Sequence, residues 1–137
     1  MKIMDISYDS AKPEDIGCIF QLNVHLIREY ENVESIDYNK VLDWTHNKIE
    51  NCIHEYTVIY ADGKKAGYYH FYKNEDAVFE IDDLYIFPGF QGKGIGSTVI
   101  RRCCSSVNEP IMLYVFIKNQ RAISLYRKLG FEVVETV

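Results

Sequence analysis

The amino-acid sequence predicts a single domain of the α/β (α+β) class, with a mixed central sheet and about four helices. Three observations carry this expectation. Apolar residues recur at three- and four-residue steps as far as Ile53, and from Tyr56 they recur at alternate positions. Asp62-Gly63 separates two β-rich runs, a strong short-range sign of a hairpin. From Phe79 onward the order strand, glycine-rich turn, helix, strand implies a parallel pair joined by a right-handed crossover.

Each element has its own signals. Ile3, Ile6 and Tyr8 punctuate a polar-alternating start, a strand that ends at "DSAKPED". Pro13 suits a first helical position, and Glu14 and Asp15 suit the first turn. Ile16, Ile19, Phe20, Val24 and Ile27 then form one stripe through about Tyr30, which "REYENVESID" interrupts. A plausible cap at Asp37 starts a second helix to about Cys52, with Val41, Leu42, Thr45, Ile49 and Ile53 on its apolar side. The runs around Asp62-Gly63, and the turn Lys73-Asn74-Glu75-Asp76 leading into "AVFEIDDLYIF", make an antiparallel meander of three strands. A helix from Ile95 to Val107 precedes "IMLYVFI", apolar enough for a buried strand, so Phe79–Phe87 and Ile111–Ile117 should lie side by side or nearly so. Asn119 caps a helix to Leu129, Gly130 fits the left-handed position after it, and "FEVVETV" is expected as a last strand.

Size and charge narrow the function. The chain of 137 residues suits one domain spanning 1–137, without linkers or repeats. Its formal net charge of -5 and pI near 5.3 argue against broad nucleic-acid or anionic-membrane binding, since both need a basic face. A cationic small molecule or basic peptide is the better electrostatic match. Cys18, Cys52, Cys103 and Cys104 show no C-x-x-C spacing, so neither a zinc site nor a disulfide framework is supported. The start "MKIMDISYDS" has no basic region followed by an apolar run, and no stretch approaches the roughly 20 apolar residues that span a bilayer, so a cytoplasmic setting is expected.

Gln91-Gly92-Lys93-Gly94-Ile95-Gly96 stands where a strand ends and a helix begins. Unpaired N–H groups and the helix dipole make such a junction an anion site, and glycine lets a phosphate approach the main chain without meeting a Cβ. A phosphate cradle is the physical reading; a glycine-rich turn with no ligand is the plain one. The dinucleotide fingerprint fails because Ser97 stands where its third glycine would be, and the Walker pattern fails because Gly-Lys is not followed by Ser or Thr.

These residues carry a resemblance. "LYIFPGFQGKGIG" is similar to the acetyl-CoA loop of the GNAT acetyltransferases, through Gln91, Gly94 and Gly96. "NQRAISLYRKLGF" resembles a second signature of that family, through Asn119, Ala122, Tyr126, Gly130 and Phe131. The order of elements is also the family's, so the resemblance covers nearly the whole chain. It implies the GNAT-type acyl-CoA N-acyltransferase fold with a splayed parallel strand pair, and acetyl-CoA as cosubstrate with no metal. Members usually carry a further strand after Gly-Phe, whereas this chain stops at Val137. The expectation is a last strand without its hairpin partner, and an edge that a second subunit could cover as a homodimer.

Acetyl transfer from a thioester to an amine needs a pyrophosphate cradle, a hold on the thioester arm, a proton acceptor and a proton donor. The N–H groups of Gln91, Gly92, Lys93, Gly94, Ile95 and Gly96, with Ser97, are the cradle candidates. The resemblance implies that Leu84 and Ile86 offer backbone groups where the parallel strands part. It also implies Tyr126 as acid, a phenol of unperturbed pKa about 10 facing a thiolate whose conjugate acid resembles a cysteine near 8.5. Glu80 is the candidate base, read by period two as sharing a face with Asp82, Leu84 and Ile86; the resemblance places a catalytic or water-ordering glutamate there in some members. The bland reading of Glu80, Asp82 and Asp83 is a solvated or amine-binding acidic patch. His70, in "YYHFY", is the other titratable candidate. Arg121, Lys93 and Arg101 could reach the 3'-phosphate of CoA, while Arg101 and Arg102 also suit a solvated helix face; Asn119 is a further cofactor-binding candidate. Cys103 and Cys104 read as helix packing.

The acids Glu29, Glu31, Glu34 and Asp37 and the tyrosines Tyr30, Tyr38, Tyr68, Tyr69 and Tyr72 suit a cationic acceptor: a polyamine, aminoglycoside, amino acid or peptide amine. They also suit an exposed loop of an acidic protein. Two other classes stay open: a catalytically silent acetyl-CoA-binding sensor, and an interaction protein whose glycine loop is only a turn.

Overall fold

The computed structural model describes residues 4–32 and 34–134. Its strands are β1 (Ile6–Ser10), β2 (Tyr56–Ala61), β3 (Lys64–Lys73), β4 (Phe79–Ile86) and β5 (Ile111–Leu113). Its helices are α1 (Ile16–Tyr30), α2 (Tyr38–Cys52), α3 (Ile95–Ser106) and α4 (Gln120–Lys128). The strands lie in chain order across one sheet; β1 to β4 are antiparallel neighbours, and β4 and β5 are parallel. The expected three-stranded meander is therefore extended by β1, which reaches β2 only after the two-helix crossover. Ile3 lies outside the described residues.

Local chemistry sets the element ends. At the β2–β3 turn Asp62 and Gly63 take φ values of 51° and 80°, as a two-residue hairpin requires. Asp37 caps α2 by accepting from the Lys40 N–H at 3.2 Å, and Asn119 caps α4 by accepting from the Ala122 N–H at 3.2 Å. Before α1, Asp15 accepts from the Lys12 N–H and from Lys65 Nζ, both at 2.8 Å. Gly130, with φ of 99°, follows α4 where an L-residue would be strained.

The sheet has two covered faces. Toward α3 it presents Ile59, Ala61, Tyr69 and Ile81, which pack with Ile95, Val99, Ile100 and Cys103. Toward α1 and α2 it presents Tyr56, Val58 and Tyr68, which pack with Ile19 and Ile49. Each buried aliphatic side chain contributes roughly 1.5–3 kcal/mol. Gly67 lets β3 press closely on β4, because a Cβ there would lie 2.3 Å from the Tyr85 carbonyl oxygen.

Three expectations need correction. Tyr68 pairs with Tyr85 and His70 with Asp82, so Tyr69 faces both Asp83 and Leu84; this is a bulge, and Asp83 holds a left-handed φ of 56°. The bulge reverses the alternation along β4. Asp82 and Asp83 both bond to Lys48 of α2, while Leu84 and Ile86 join the core under α3, so Glu80 and Asp82 do not share a face with Leu84 and Ile86. The strand expected over Ile111–Ile117 ends at Leu113, because its neighbour β4 diverges there. Phe131 to Val134 form no strand, and the rest of "FEVVETV" lies outside the described residues.

Candidate active site

An open cleft of about 1460 Å³ forms where β4 and β5 part. The two strands pair only at Phe79, Glu80 and Ile81 against Ile111, Met112 and Leu113. Beyond Ile81 the outer edge of β4 has no strand partner among the described residues. Leu84, Ile86, Ile95 and Tyr126 line the cleft from the α3 face of the sheet, and Asn23, Tyr30 and Tyr85 from the α1 face. The cleft therefore runs through the plane of the sheet.

One end is built from the glycine turn. Gly92 and Gly94 have φ of 75° and 81°, a region that costs other L-residues roughly 1–2 kcal/mol. A Cβ on either would meet nothing within 4 Å, so the space beside the main chain is open. Gly94 immediately precedes α3, whose start no side chain caps. The N–H groups of its first turn are thus directed outward, at the positive end of the helix dipole. Gln91 Nε2 donates to the Ile86 carbonyl at 2.9 Å and pins this turn to the end of β4.

Of the residues expected to bind the cofactor, Leu84, Ile86, Gln91, Gly92, Gly94, Ile95, Gly96, Ser97, Asn119 and Arg121 line the cleft. Lys93 is exposed and does not. The Asn119 side chain is engaged as the α4 cap. Arg121, Lys118 and Lys128 supply basic side chains to the cleft lining. Arg102 instead lies over the Tyr8 ring, 4.0 Å from its centroid. Cys103 is buried, its thiol pushed by burial up to about 12, whereas Cys104 is exposed rather than packed.

Tyr126 lines the same cleft from α4, half-buried and tilted against Phe131 with ring centroids 6.0 Å apart. Burial raises its phenol above the ordinary value, so it is protonated at neutral pH.

On the opposite face lies a polar network that periodicity alone does not indicate. Lys48 of α2 ion-pairs with Asp82, and its Nζ also lies 3.4 Å from Asp83 Oδ2. Tyr56 donates its hydroxyl hydrogen bond to Asp83. His70, only 1% exposed, stacks between Tyr56 and Tyr72 with centroids 4.5 and 4.1 Å away. Its Nε2 is 3.0 Å from Glu55 Oε2; its Nδ1 has no hydrogen-bond partner and lies 3.7 Å from Asp82 Oδ2. Burial opposes ionisation of Asp82, but His70 and Lys48 hold its carboxyl below the usual range. Burial, then the charge of Asp82, pushes Asp83 above that range against the pull of Lys48 and Tyr56. Burial works against the Lys48 ammonium, and the two aspartates outweigh it and raise its pKa.

Asp82 and Asp83 line the cleft; Glu80 does not. Glu80 is 8% exposed, and its carboxylate accepts from the Tyr72 hydroxyl at 3.1 Å and from Asn74 Nδ2 at 3.2 Å. Sequence reasoning missed Lys48 altogether. A signal for the bulge was present: Ile81 and Leu84 are three apart in a strand whose other apolar residues keep period two.

The description "Acetyltransferase (GNAT) family" matches residues 19–131 of this chain. An uncharacterised N-acetyltransferase of Methanocaldococcus jannaschii is 34% identical over 64 residues, 44% of this chain and 28% of that protein. The chain spans about half or less of the length of the first curated relatives it matches. Among solved structures, an N-acetyltransferase of Staphylococcus aureus superposes with a TM-score of 0.75 at 18% identity, covering 96% of this chain and 93% of the other. The PaiA N-acetyltransferase of Thermoplasma acidophilum, crystallised in complex with coenzyme A, gives 0.70 at 19% identity, over 97% and 93%. At these identities the structural likeness speaks for the fold. Within the described residues no helix is long and apolar enough to cross a membrane.

Proposed function

This chain belongs to the GNAT acetyltransferase family, and from that premise we propose that it moves an acetyl group from acetyl-CoA directly to a primary amine of a small-molecule or peptide acceptor. The observation that carries this reading is the cleft through the sheet, with an anion-suited glycine turn and a tyrosine on one face and a carboxylate pair on the other. The coenzyme A complex of the structurally similar PaiA enzyme supports the cosubstrate.

Acetyl-CoA supplies the activated acetyl group as a thioester; the chain supplies position and proton handling. The residues present fit it. Open space beside Gly92 and Gly94 admits a pyrophosphate to the N–H groups of Gly92 to Ser97, and the basic side chains of Arg121 and Lys118 in the cleft lining suit the 3'-phosphate. Backbone groups of Leu84 and Ile86 on the unpartnered edge of β4 hold the thioester arm. A single N–H stabilises an oxyanion modestly, so proximity contributes much of the rate. Tyr126 is the proton donor to the departing sulfur. Glu80, outside the cleft lining, is tested as the base by Glu80→Gln, and an unchanged pH profile of kcat/KM excludes it. Glu29, Glu31, Asp82 and Asp83 along the acceptor side favour a cationic amine.

The test is thiol release from acetyl-CoA across polyamines, aminoglycosides, amino acids and peptide amines, against a no-amine control. Amine-dependent release is the expected outcome, with Tyr126→Phe lowering kcat and leaving acetyl-CoA affinity unchanged. Binding of acetyl-CoA without release on any amine would replace the transferase by a sensor.

A further inference from the structure

Resting on the transferase reading, we propose that Asp83 is the group that takes the proton from the acceptor's ammonium, with Tyr56 and Lys48 positioning its carboxylate. Regular alternation would turn residue 83 away from its neighbour, toward the apolar core under α3. The bulge instead brings Asp83 to the α2 face beside Asp82, at a left-handed φ of 56° that is uncommon outside glycine. Two anchors fix the carboxylate there: the Tyr56 hydroxyl from β2 and Lys48 Nζ from α2. Unlike Glu80, Asp83 lines the cleft.

A second observation points to the same place. His70 Nδ1 is buried without a hydrogen bond and faces Asp82 from β3. This nitrogen sits against the carboxylate pair at the cleft wall. The charged and titratable groups facing the pair are Lys48 and Cys52 from α2, Tyr56 from β2, Tyr68, His70 and Tyr72 from β3, and Glu55 behind His70. Two carboxylates share one ammonium, so the pair retains negative charge for an incoming cation. Burial and the neighbouring Asp82 also move Asp83 toward the range in which a base works at neutral pH.

The step balances. The alkylammonium loses one proton to the Asp83 carboxylate and becomes a free amine. Its nitrogen forms a bond to the thioester carbonyl carbon, and the carbon–sulfur bond breaks. The sulfur leaves with the electron pair and takes a proton from Tyr126. The remaining excess N–H proton restores the Tyr126 phenol, and the Asp83 proton is the one released to solvent. No oxidant or reductant is involved.

The experiment compares wild type, Asp83→Asn, Tyr56→Phe and Glu80→Gln on the best alkylamine of the panel and on hydroxylamine, which is uncharged at neutral pH. Asn tolerates the left-handed conformation, so the fold is kept. Asp83→Asn is expected to lose about 100-fold or more in kcat/KM on the alkylamine, to lose the acid limb of the pH profile, and to retain most activity on hydroxylamine. Tyr56→Phe removes a bond that lowers the Asp83 pKa, so its acid limb should move to higher pH. Without any ligand, 13C NMR of labelled aspartates should show one carboxyl titrating above the usual range, absent in Asp83→Asn. Equal losses of Asp83→Asn on both acceptors, an unshifted limb in Tyr56→Phe, or loss of the limb in Glu80→Gln instead would overturn the assignment to Asp83. Wild-type protein that acetylates no amine would overturn the transferase reading itself, and this proposal with it.

Discussion

Both faces of the sheet are covered by helices and carry an apolar cluster, but only one adds a network of charges to it. Against α3 the buried side chains are aliphatic or aromatic: Ile59, Ile81, Ile95, Val99 and Ile100 among them. Against α2 the same strands bury His70 and Glu80 and half-bury Asp82 and Asp83 around Lys48. Hydrophobic burial gives the first face its stability. The second face carries desolvated charges whose mutual attraction barely offsets their removal from water. A protein keeps such a network where the charges serve something other than folding, and this one adjoins the cleft.

The largest effect is expected where that network is broken on one side. Lys48→Met leaves Asp82 and Asp83 without their cation and should destabilise by roughly 3–5 kcal/mol in urea denaturation. Adding Asp82→Asn and Asp83→Asn should recover most of that loss while leaving transfer to alkylamines absent; failure to recover would mean the network does stabilise the fold. On the aliphatic face, Ile100→Ala should cost about 2–4 kcal/mol through the cavity it leaves, and the pH profile of turnover should not move.

Smaller effects separate backbone from charge. Gly94→Ala has space for its methyl but not the conformation, so roughly 1–2 kcal/mol of strain should appear as weaker acetyl-CoA binding by calorimetry. Asp15→Ala, which removes the bonds to Lys12 and Lys65, should cost about 1 kcal/mol. Burial works against the Asp15 carboxylate, but the Lys65 and Lys12 bonds outweigh it and lower its folded pKa. Its contribution is therefore complete above the unfolded value and lost as pH falls through the folded one. The stability gap between wild type and variant should stay constant from pH 6 to 8 and close only in acid, below about pH 4, when followed by thermal melts.

Periodicity was enough to find nine of the ten expected elements because α1, α2 and α3 each carry an apolar stripe and the hairpin carries Asp62-Gly63. It misjudged the strands at the cleft. Ile111 to Ile117 is apolar throughout, yet only Ile111–Leu113 finds a ladder, because strand formation needs a neighbour and β4 has turned aside. Gln91, Gly94, Gly96 and Tyr126 were picked out by the family resemblance that their motifs carry, and all four line the cleft. Lys48 was not: a lysine on an amphipathic helix usually reads as solvated, and only the packing of α2 over β4 brings it to two aspartates 34 and 35 residues away.

The chain's own order of residues determined the element sequence, the hairpin turn, the helix caps and the glycine turn, since all of these depend on contacts within a few residues. Tertiary structure alone decided where β4 and β5 separate, which carboxylates reach the cleft, and how Lys48 and His70 bias their ionisation. Those outcomes depend on desolvation and on charges brought together across the sheet, and distance along the sequence does not encode either.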